Sequence, residues 1–121
     1  MIGYVMVGAN DLEKSAAFYD AVLGVMGAKR GMSSDRMIGF SGPNRGPMFA
    51  VCKPANDGPA SFGNGTMIAL TAASQEQVHE VHAKALASGG TDEGAPGPRG
   101  ESFYGAYFRD LDGNKICIFK M

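Results

Sequence analysis

The first half of the chain has the pattern of one strand, one helix and three further strands. Apolar residues alternate over Ile2–Val7, which predicts a strand. Apolar residues then recur at helical spacing from Leu12, either Asn10 or Asp11 can cap that helix, and Gly24 can end it. Three short strands are predicted after the helix, over Lys29–Met32, Arg36–Phe40 and Met48–Lys53.

The second half repeats this order. A strand is predicted over Thr66–Leu70, and Ser74 followed by Gln77 has the spacing of a capping box. The helix that begins there is expected to stop at Gly89 and Gly90. Further strands are predicted over Thr91–Ala95, Phe103–Arg109 and Asn114–Phe119, with a hairpin turn at Asp112-Gly113.

The repeated order predicts a duplicated unit. The strand Tyr4–Val7 aligns with Met67–Leu70, and a helix follows each at the same distance. A Pro- and Gly-rich segment, about Pro54–Gly65, separates the halves. We therefore predict an α+β fold in a single domain, residues 1–121, made of two βαβββ modules at about 1–55 and 65–121.

Strand alternation predicts two faces with different chemistry. One face is aliphatic or aromatic throughout and is expected to pack on the helices: Val5, Val7, Phe49, Val51, Ile68, Leu70, Ile116 and Ile118. The other is softer and carries thiol, thioether and phenol groups: Tyr4, Met6, Met48, Ala50, Cys52, Met67, Ala69, Cys117 and Phe119. An apolar surface of the second kind is typical of a small-molecule pocket, a second core or a dimer interface.

The composition of the chain excludes several classes of partner. The net charge is −1 and no basic stripe is present, so no nucleic-acid partner is expected. No apolar run has the length of a membrane span, and no export signal is visible. Two cysteines cannot form a disulfide framework. We expect a cytoplasmic protein with no membrane partner.

Three segments resemble the vicinal oxygen chelate superfamily, also called the glyoxalase, bleomycin-resistance and extradiol-dioxygenase superfamily. They are YVMVGANDLEKSAAFYDAVLG, GTMIALTAASQEQVHEVHAKALASGG and FYGAYFRDLDGNKICIF, the last with Leu111 where the family's hairpin has Pro. The resemblance implies paired βαβββ modules that form a curved sheet around a U-shaped cleft, and it commonly implies a homodimer. In many members that cleft holds a divalent metal bound by His, Gln or Glu.

The resemblance places the family's metal-ligand positions on Tyr4, Ala50, Met67 and Cys117. Alanine has no donor atom, a thioether is a soft and weak ligand, and a phenol is protonated at neutral pH. Only the cysteine suits zinc. We therefore predict no metal and no cofactor at this location.

Other residues leave alternatives open. Cys52 and Cys117 are either inert small hydrophobes or reactive thiols. Tyr107 is expected to face the cleft, and Arg109 either reaches an anionic substrate or pairs with the neighbouring Asp110 or Asp112. A helix face that contains His79 and His82 is predicted to be solvated.

Three functions follow from this pattern. The first is a metal-free protein that binds a small apolar or aromatic compound in its cleft. The second is a metal-independent lyase or isomerase that uses Tyr4 or Cys117. The third is a non-catalytic structural homodimer. The residues predicted to bind a ligand are Tyr4, Met6, Met48, Ala50, Cys52, Met67, Ala69, Tyr107, Arg109 and Cys117.

Overall fold

A computed structural model describes all residues, 1–121, as two four-stranded sheets and two helices. The first module contains β1 (Tyr4–Gly8), α1 (Leu12–Gly24), β2 (Lys29–Ser33), β3 (Met37–Ser41) and β4 (Met48–Cys52). The second contains β5 (Ile68–Thr71), α2 (Gln75–Ala87), β6 (Thr91–Pro98), β7 (Tyr104–Arg109) and β8 (Lys115–Lys120). The predicted pair of βαβββ modules is confirmed.

The two sheets have the same topology. Their strand orders are β1-β4-β3-β2 and β5-β8-β7-β6, so each module ends on the strand that pairs with its first. In both modules that pair is parallel, with Met6 opposite Ala50 and Ala69 opposite Cys117. No hydrogen-bonded ladder joins the two sheets, and β1 and β5 each form an open edge.

Both helices begin where the sequence predicts. The Asp11 carboxylate accepts the Lys14 amide at 3.0 Å, so Asp11 rather than Asn10 caps α1. At α2 the Ser74 hydroxyl accepts the Gln77 amide at 3.1 Å, and the Gln77 side chain accepts the Ala73 amide at 2.8 Å. At 13 residues each, neither helix has the length needed to cross a membrane.

One hydrophobic core serves both modules. α1 packs against α2 as well as against its own sheet, and the Phe18 ring lies 6.3 Å from the Phe108 ring of the other module. Most of the face predicted to pack on the helices is in this core, whereas Val5, Ile68 and Leu70 border it and stay partly exposed. The second face of each sheet therefore lies on the side away from the core.

The hairpin between β7 and β8 ties the modules together. The Tyr19 hydroxyl donates to the buried Asp110 carboxylate at 2.6 Å. Burial, aided by that carboxylate, raises the pKa of Tyr19 well above its usual range, so the phenol remains a donor. Asn114 donates to the Gly8 carbonyl at 3.0 Å, and Gly113 adopts a φ of +86° in the predicted turn. These bonds hold the end of β1 beside the start of β8.

Strand β6 extends to Pro98, three residues beyond its predicted end at Ala95. Pro98 pairs with Tyr104 on β7, and β6 is the outer strand of its sheet. An edge strand tolerates proline because its outward amide needs no partner. Pro96 and Pro98 are thus part of the edge strand.

Candidate functional site

The residues predicted to bind a ligand divide between the outer faces of the two sheets. Alternation turns Val7, Val51 and Ile118 into the core and their neighbours outwards. We call the outer surface of the first module the methionine face; it comprises Tyr4, Met6, Met37, Met48, Ala50 and Cys52. We call that of the second module the cationic face; it comprises Met67, Ala69, Tyr107, Arg109, Lys115, Cys117 and the overlying Arg99.

The methionine face is apolar and open. Tyr4 and Met6 are 59% and 41% exposed, whereas Ala50 is fully buried beneath its neighbours. Met48 lies against Gly39, where a Cβ atom would stand 2.5 Å from the Met48 sulfur. The glycine therefore leaves room for a flexible thioether. Exposed thioethers and a phenol suit an apolar partner of variable shape.

The cationic face is built around Tyr107. The Arg99 guanidinium lies 5.5 Å from the centre of the Tyr107 ring, and the Lys115 ammonium lies 5.7 Å from it. Arg99 is fixed by the carbonyls of Ala95 at 2.7 Å and Gly97 at 3.0 Å. Two cations thus flank one aromatic ring.

The two thiols are not activated. Cys117 is fully buried, and burial raises its pKa although a hydrogen bond from Tyr107 and the charges of Arg99 and Lys115 act in the opposite direction. Cys52 is half-buried, and burial raises its pKa against the charge of Arg36. Both thiols are free and protonated at neutral pH. Like Ala50, Cys117 supports its face from below and does not form its surface.

Arg109 has a different partner from those predicted. Its Nε donates to Glu93 at 2.7 Å and its Nη1 to the Gly113 carbonyl at 3.0 Å, so the alternative in which Arg109 pairs with Asp110 or Asp112 is wrong. Glu93 is within reach because β6 begins its antiparallel pairing with β7 at Thr91, opposite Arg109, and Glu93 lies in the register shift that follows. The Arg109 guanidinium also lies 5.3 Å from the centre of the Phe62 ring.

A cavity of about 490 Å³ opens between the cationic face and the linker, the segment that joins β4 to β5. We call it the linker pocket; it is lined by Phe62, Gly63, Asn64, Gly65, Thr66, Met67, Arg109 and Lys115. The charge of Arg109 is balanced by Glu93, whereas Lys115 forms no salt bridge. Met67 also borders a smaller cavity of about 270 Å³ whose walls include Met48 and Ala69. The two faces approach each other there.

The donor set at the family's metal positions does not fit a divalent metal. Tyr4 and Ala50 lie on one sheet, and Met67 and Cys117 belong to the other module. Only the thiol is a good ligand for zinc, and it is buried. Nowhere in the chain do three His, Cys, Asp or Glu side chains form a group that could hold a metal ion.

The two histidines of α2 have structural roles. His82 is only 6% exposed and contacts the Asp92 carboxylate at 3.0 Å, so the predicted solvated face is wrong at this position. His79 contacts the Tyr104 hydroxyl at 2.6 Å. Both contacts hold α2 against β6 and β7, which are not adjacent to the histidines in sequence.

Sequence reasoning missed two polar groups of the cationic face. Lys115 shares the alternation of Cys117, so its orientation was available from the sequence. Arg99 lies beyond the end of β6, where no periodicity predicts the path of a side chain. Its position depends on carbonyls that only the folded strand supplies.

Comparison with known proteins agrees with the fold and the motifs. The model of the Glyoxalase/Bleomycin resistance protein/Dioxygenase superfamily matches residues 1–118. A glyoxalase/bleomycin resistance protein from Albidiferax ferrireducens is 43% identical, with a TM-score of 0.91 over 100% of this chain and 98% of that one. Curated proteins give no match.

More distant structures share the fold. A lactoylglutathione lyase from Agrobacterium tumefaciens is 20% identical, with a TM-score of 0.72 over 99% of this chain and 92% of that one. A glyoxalase-related enzyme from Fulvimarina pelagi is 19% identical, with a TM-score of 0.79 over 100% and 88% of the two chains. The match over residues 1–118 and the 43% identity together show that this chain belongs to the glyoxalase/bleomycin resistance protein/dioxygenase superfamily.

Proposed function

We propose that this protein binds a small apolar or aromatic compound on its methionine face without using a metal. The observation that carries the proposal is the exchange of ligand chemistry at the family's metal positions for Tyr4, Ala50, Met67 and Cys117. The surface around the first two is apolar and open, with Tyr4 and Met6 both more than a third exposed. Burying such groups against an apolar compound contributes a favourable binding free energy of about 25 cal/mol per Å² of apolar surface removed from water.

The proposal includes a second copy of the chain as the other wall of the cleft. The edges at β1 and β5 are unpaired, and apolar side chains lie exposed beside both of them. Unprotected edges and exposed apolar groups favour association. We therefore expect a homodimer in which a second copy covers the edges and encloses the bound compound.

A compound screen with a matched pair of variants tests this proposal. A ligand present at about 100 times its Kd stabilises the native state by about 2.7 kcal/mol, so an aromatic compound that binds raises the Tm by several degrees. Met6→Gln should weaken binding about 5- to 10-fold, because a polar amide replaces an exposed thioether on the face. Leu86→Gln is the control, since Leu86 is similarly exposed, at 37%, but lies on α2.

Two measurements accompany the screen. Light scattering coupled to size exclusion gives the mass of each variant, so that loss of the dimer is separated from loss of binding. Elemental analysis of protein loaded with zinc, iron or nickel tests the metal-free part. One equivalent of retained metal, or no Tm increase with any aromatic compound, would contradict the proposal; the second result would favour a purely structural homodimer.

A metal-independent lyase or isomerase is the second candidate, and one observation favours Tyr4 for it. The Tyr4 phenol is 59% exposed, whereas Cys117 has no exposed surface and a raised pKa. Among the two predicted catalytic residues, only Tyr4 can therefore contact a bound compound. NMR can monitor whether the protein converts a compound found in the screen. Conversion should be lost in Tyr4→Phe and kept in Tyr104→Phe. Equal conversion by both variants would exclude this role.

A further inference from the structure

We propose that the compound bound by this protein is a monocarboxylate, whose carboxylate enters the linker pocket and meets Lys115. This inference deepens the proposed function and rests on it. It names the chemical class of the ligand and a second contact point, on the opposite side of Met67 from the methionine face.

The first step is the charge of the linker pocket. Two cationic side chains, Arg109 and Lys115, line it, and no acidic side chain does. Glu93 forms a 2.7 Å ion pair with Arg109 from outside the pocket, whereas Lys115 has no carboxylate within salt-bridge distance. Glu93 balances one of these two positive charges, so one unit of positive charge remains without a carboxylate partner. A single carboxylate is the group that matches this charge.

The second step is the polar lining. Asn64 and Thr66 also line the pocket, and the side chain of neither takes part in a hydrogen bond within the protein. An amide and a hydroxyl can both donate to a carboxylate oxygen. The Phe62 ring, which supports the Arg109 guanidinium, closes one side. The pocket thus offers a charge, further donors and an apolar wall.

The third step is the path from this pocket to the methionine face. Met67 lines the linker pocket and also the smaller cavity that Met48 and Ala69 border. A compound with its carboxylate at Lys115 can therefore place its apolar body over Met67 and towards Met48. The linker pocket supplies the charge, and the smaller cavity, whose lining holds no charged side chain, extends the apolar contact. The arrangement selects an amphipathic acid over a neutral hydrocarbon.

Matched probes and one substitution test this assignment. The probes are 2-naphthylacetate, 2-naphthylacetamide and 2-naphthyl phosphate, which share an aromatic body and differ in charge. Calorimetry on the wild type should give binding of the acid at least tenfold tighter than of the amide, because a charge-assisted hydrogen bond is added. The phosphate should bind no more tightly than the acid, since only one of the two cations that line the linker pocket lacks a carboxylate partner.

Lys115→Met should abolish the preference for the acid, while its affinity for the amide should stay within about twofold of that of the wild type. Lys120→Met is the control, because Lys120 lies on the same strand but on the opposite face, and it should keep the preference. If Lys115→Met does not fold, Lys115→Gln removes the charge with a polar side chain of similar length. Raising the salt concentration should weaken binding of the acid and leave binding of the amide unchanged.

The outcomes separate this inference from the proposed function. Equal affinity for acid and amide in the wild type, or a preference that survives in Lys115→Met, overturns the carboxylate assignment and leaves apolar binding intact. Tighter binding of the phosphate than of the acid also overturns it. Failure of all three probes to bind argues against the apolar site itself.

Discussion

The two modules share one scaffold and differ in what covers it. Ala50 and Cys117 occupy equivalent positions, each opposite the first strand of its module, and both are fully buried. The residue beside them on the next strand is Gly39 in the first module and Tyr107 in the second. At this equivalent position the first module has no side chain, whereas the second has a large aromatic one.

The covering residue changes with this exchange. Met48 lies over Gly39 in the first module, whereas Lys115 lies over the Tyr107 ring in the second. A thioether on a glycine makes an apolar, deformable surface, and an ammonium on an aromatic ring makes a cationic one. The difference teaches that two sheets of the same topology and register can carry faces of different chemistry.

The hairpins that precede the last strands differ as well. In the second module Asp110 is buried and accepts hydrogen bonds from Tyr19, Asp112 and Asn114. In the first module the corresponding connection, residues 42–47, is exposed and its side chains form no hydrogen bonds. Only the second hairpin therefore contributes buried polar contacts between the modules.

Substitution in the two hairpins should give the largest contrast. Asp110→Ala removes the acceptor of four donors, so the free energy of unfolding should fall by about 3 kcal/mol or more. Asn44→Ala, in the exposed connection, should change it by less than about 0.5 kcal/mol. Urea titration followed by circular dichroism measures both. Equal losses in the two variants would mean that the hairpins do not differ energetically.

The sequence predicts the helices and strands better than the side-chain contacts made on top of them. Alternation and capping signals identify both helices and the inner face of each sheet, since period and cap chemistry are local properties. The partners of Arg109 and His82 are Glu93 and Asp92, which depend on the register of an irregular edge strand. Periodicity carries no information on that register, so these contacts were not predictable.

A smaller effect is expected from the glycine beneath Met48. Gly39→Ala places a Cβ against the Met48 sulfur and 3.2 Å from the Met32 carbonyl oxygen, so it should cost about 1–2 kcal/mol and displace the thioether. Gly42→Ala is the control, because its Cβ would meet nothing within 4 Å. Urea titration gives the stabilities, and the methyl NMR signal of Met48 reports the displacement. An unmoved signal in Gly39→Ala would contradict the covering role.

The two thiols give the finest test, because it compares rates and leaves stability aside. Burial raises the pKa of both, so the thiolate fraction at a given pH is smaller than in free cysteine and half-maximal labelling shifts to higher pH. Cys52 is half-buried and should react slowly, whereas Cys117 should be almost unreactive beneath Tyr107. Tyr107→Ala should speed labelling of Cys117 and leave Cys52 unchanged. Rates measured with a chromogenic disulfide between pH 7 and about pH 10 decide the point: fast labelling of Cys117 at neutral pH would identify an activated thiol and restore it as a catalytic candidate.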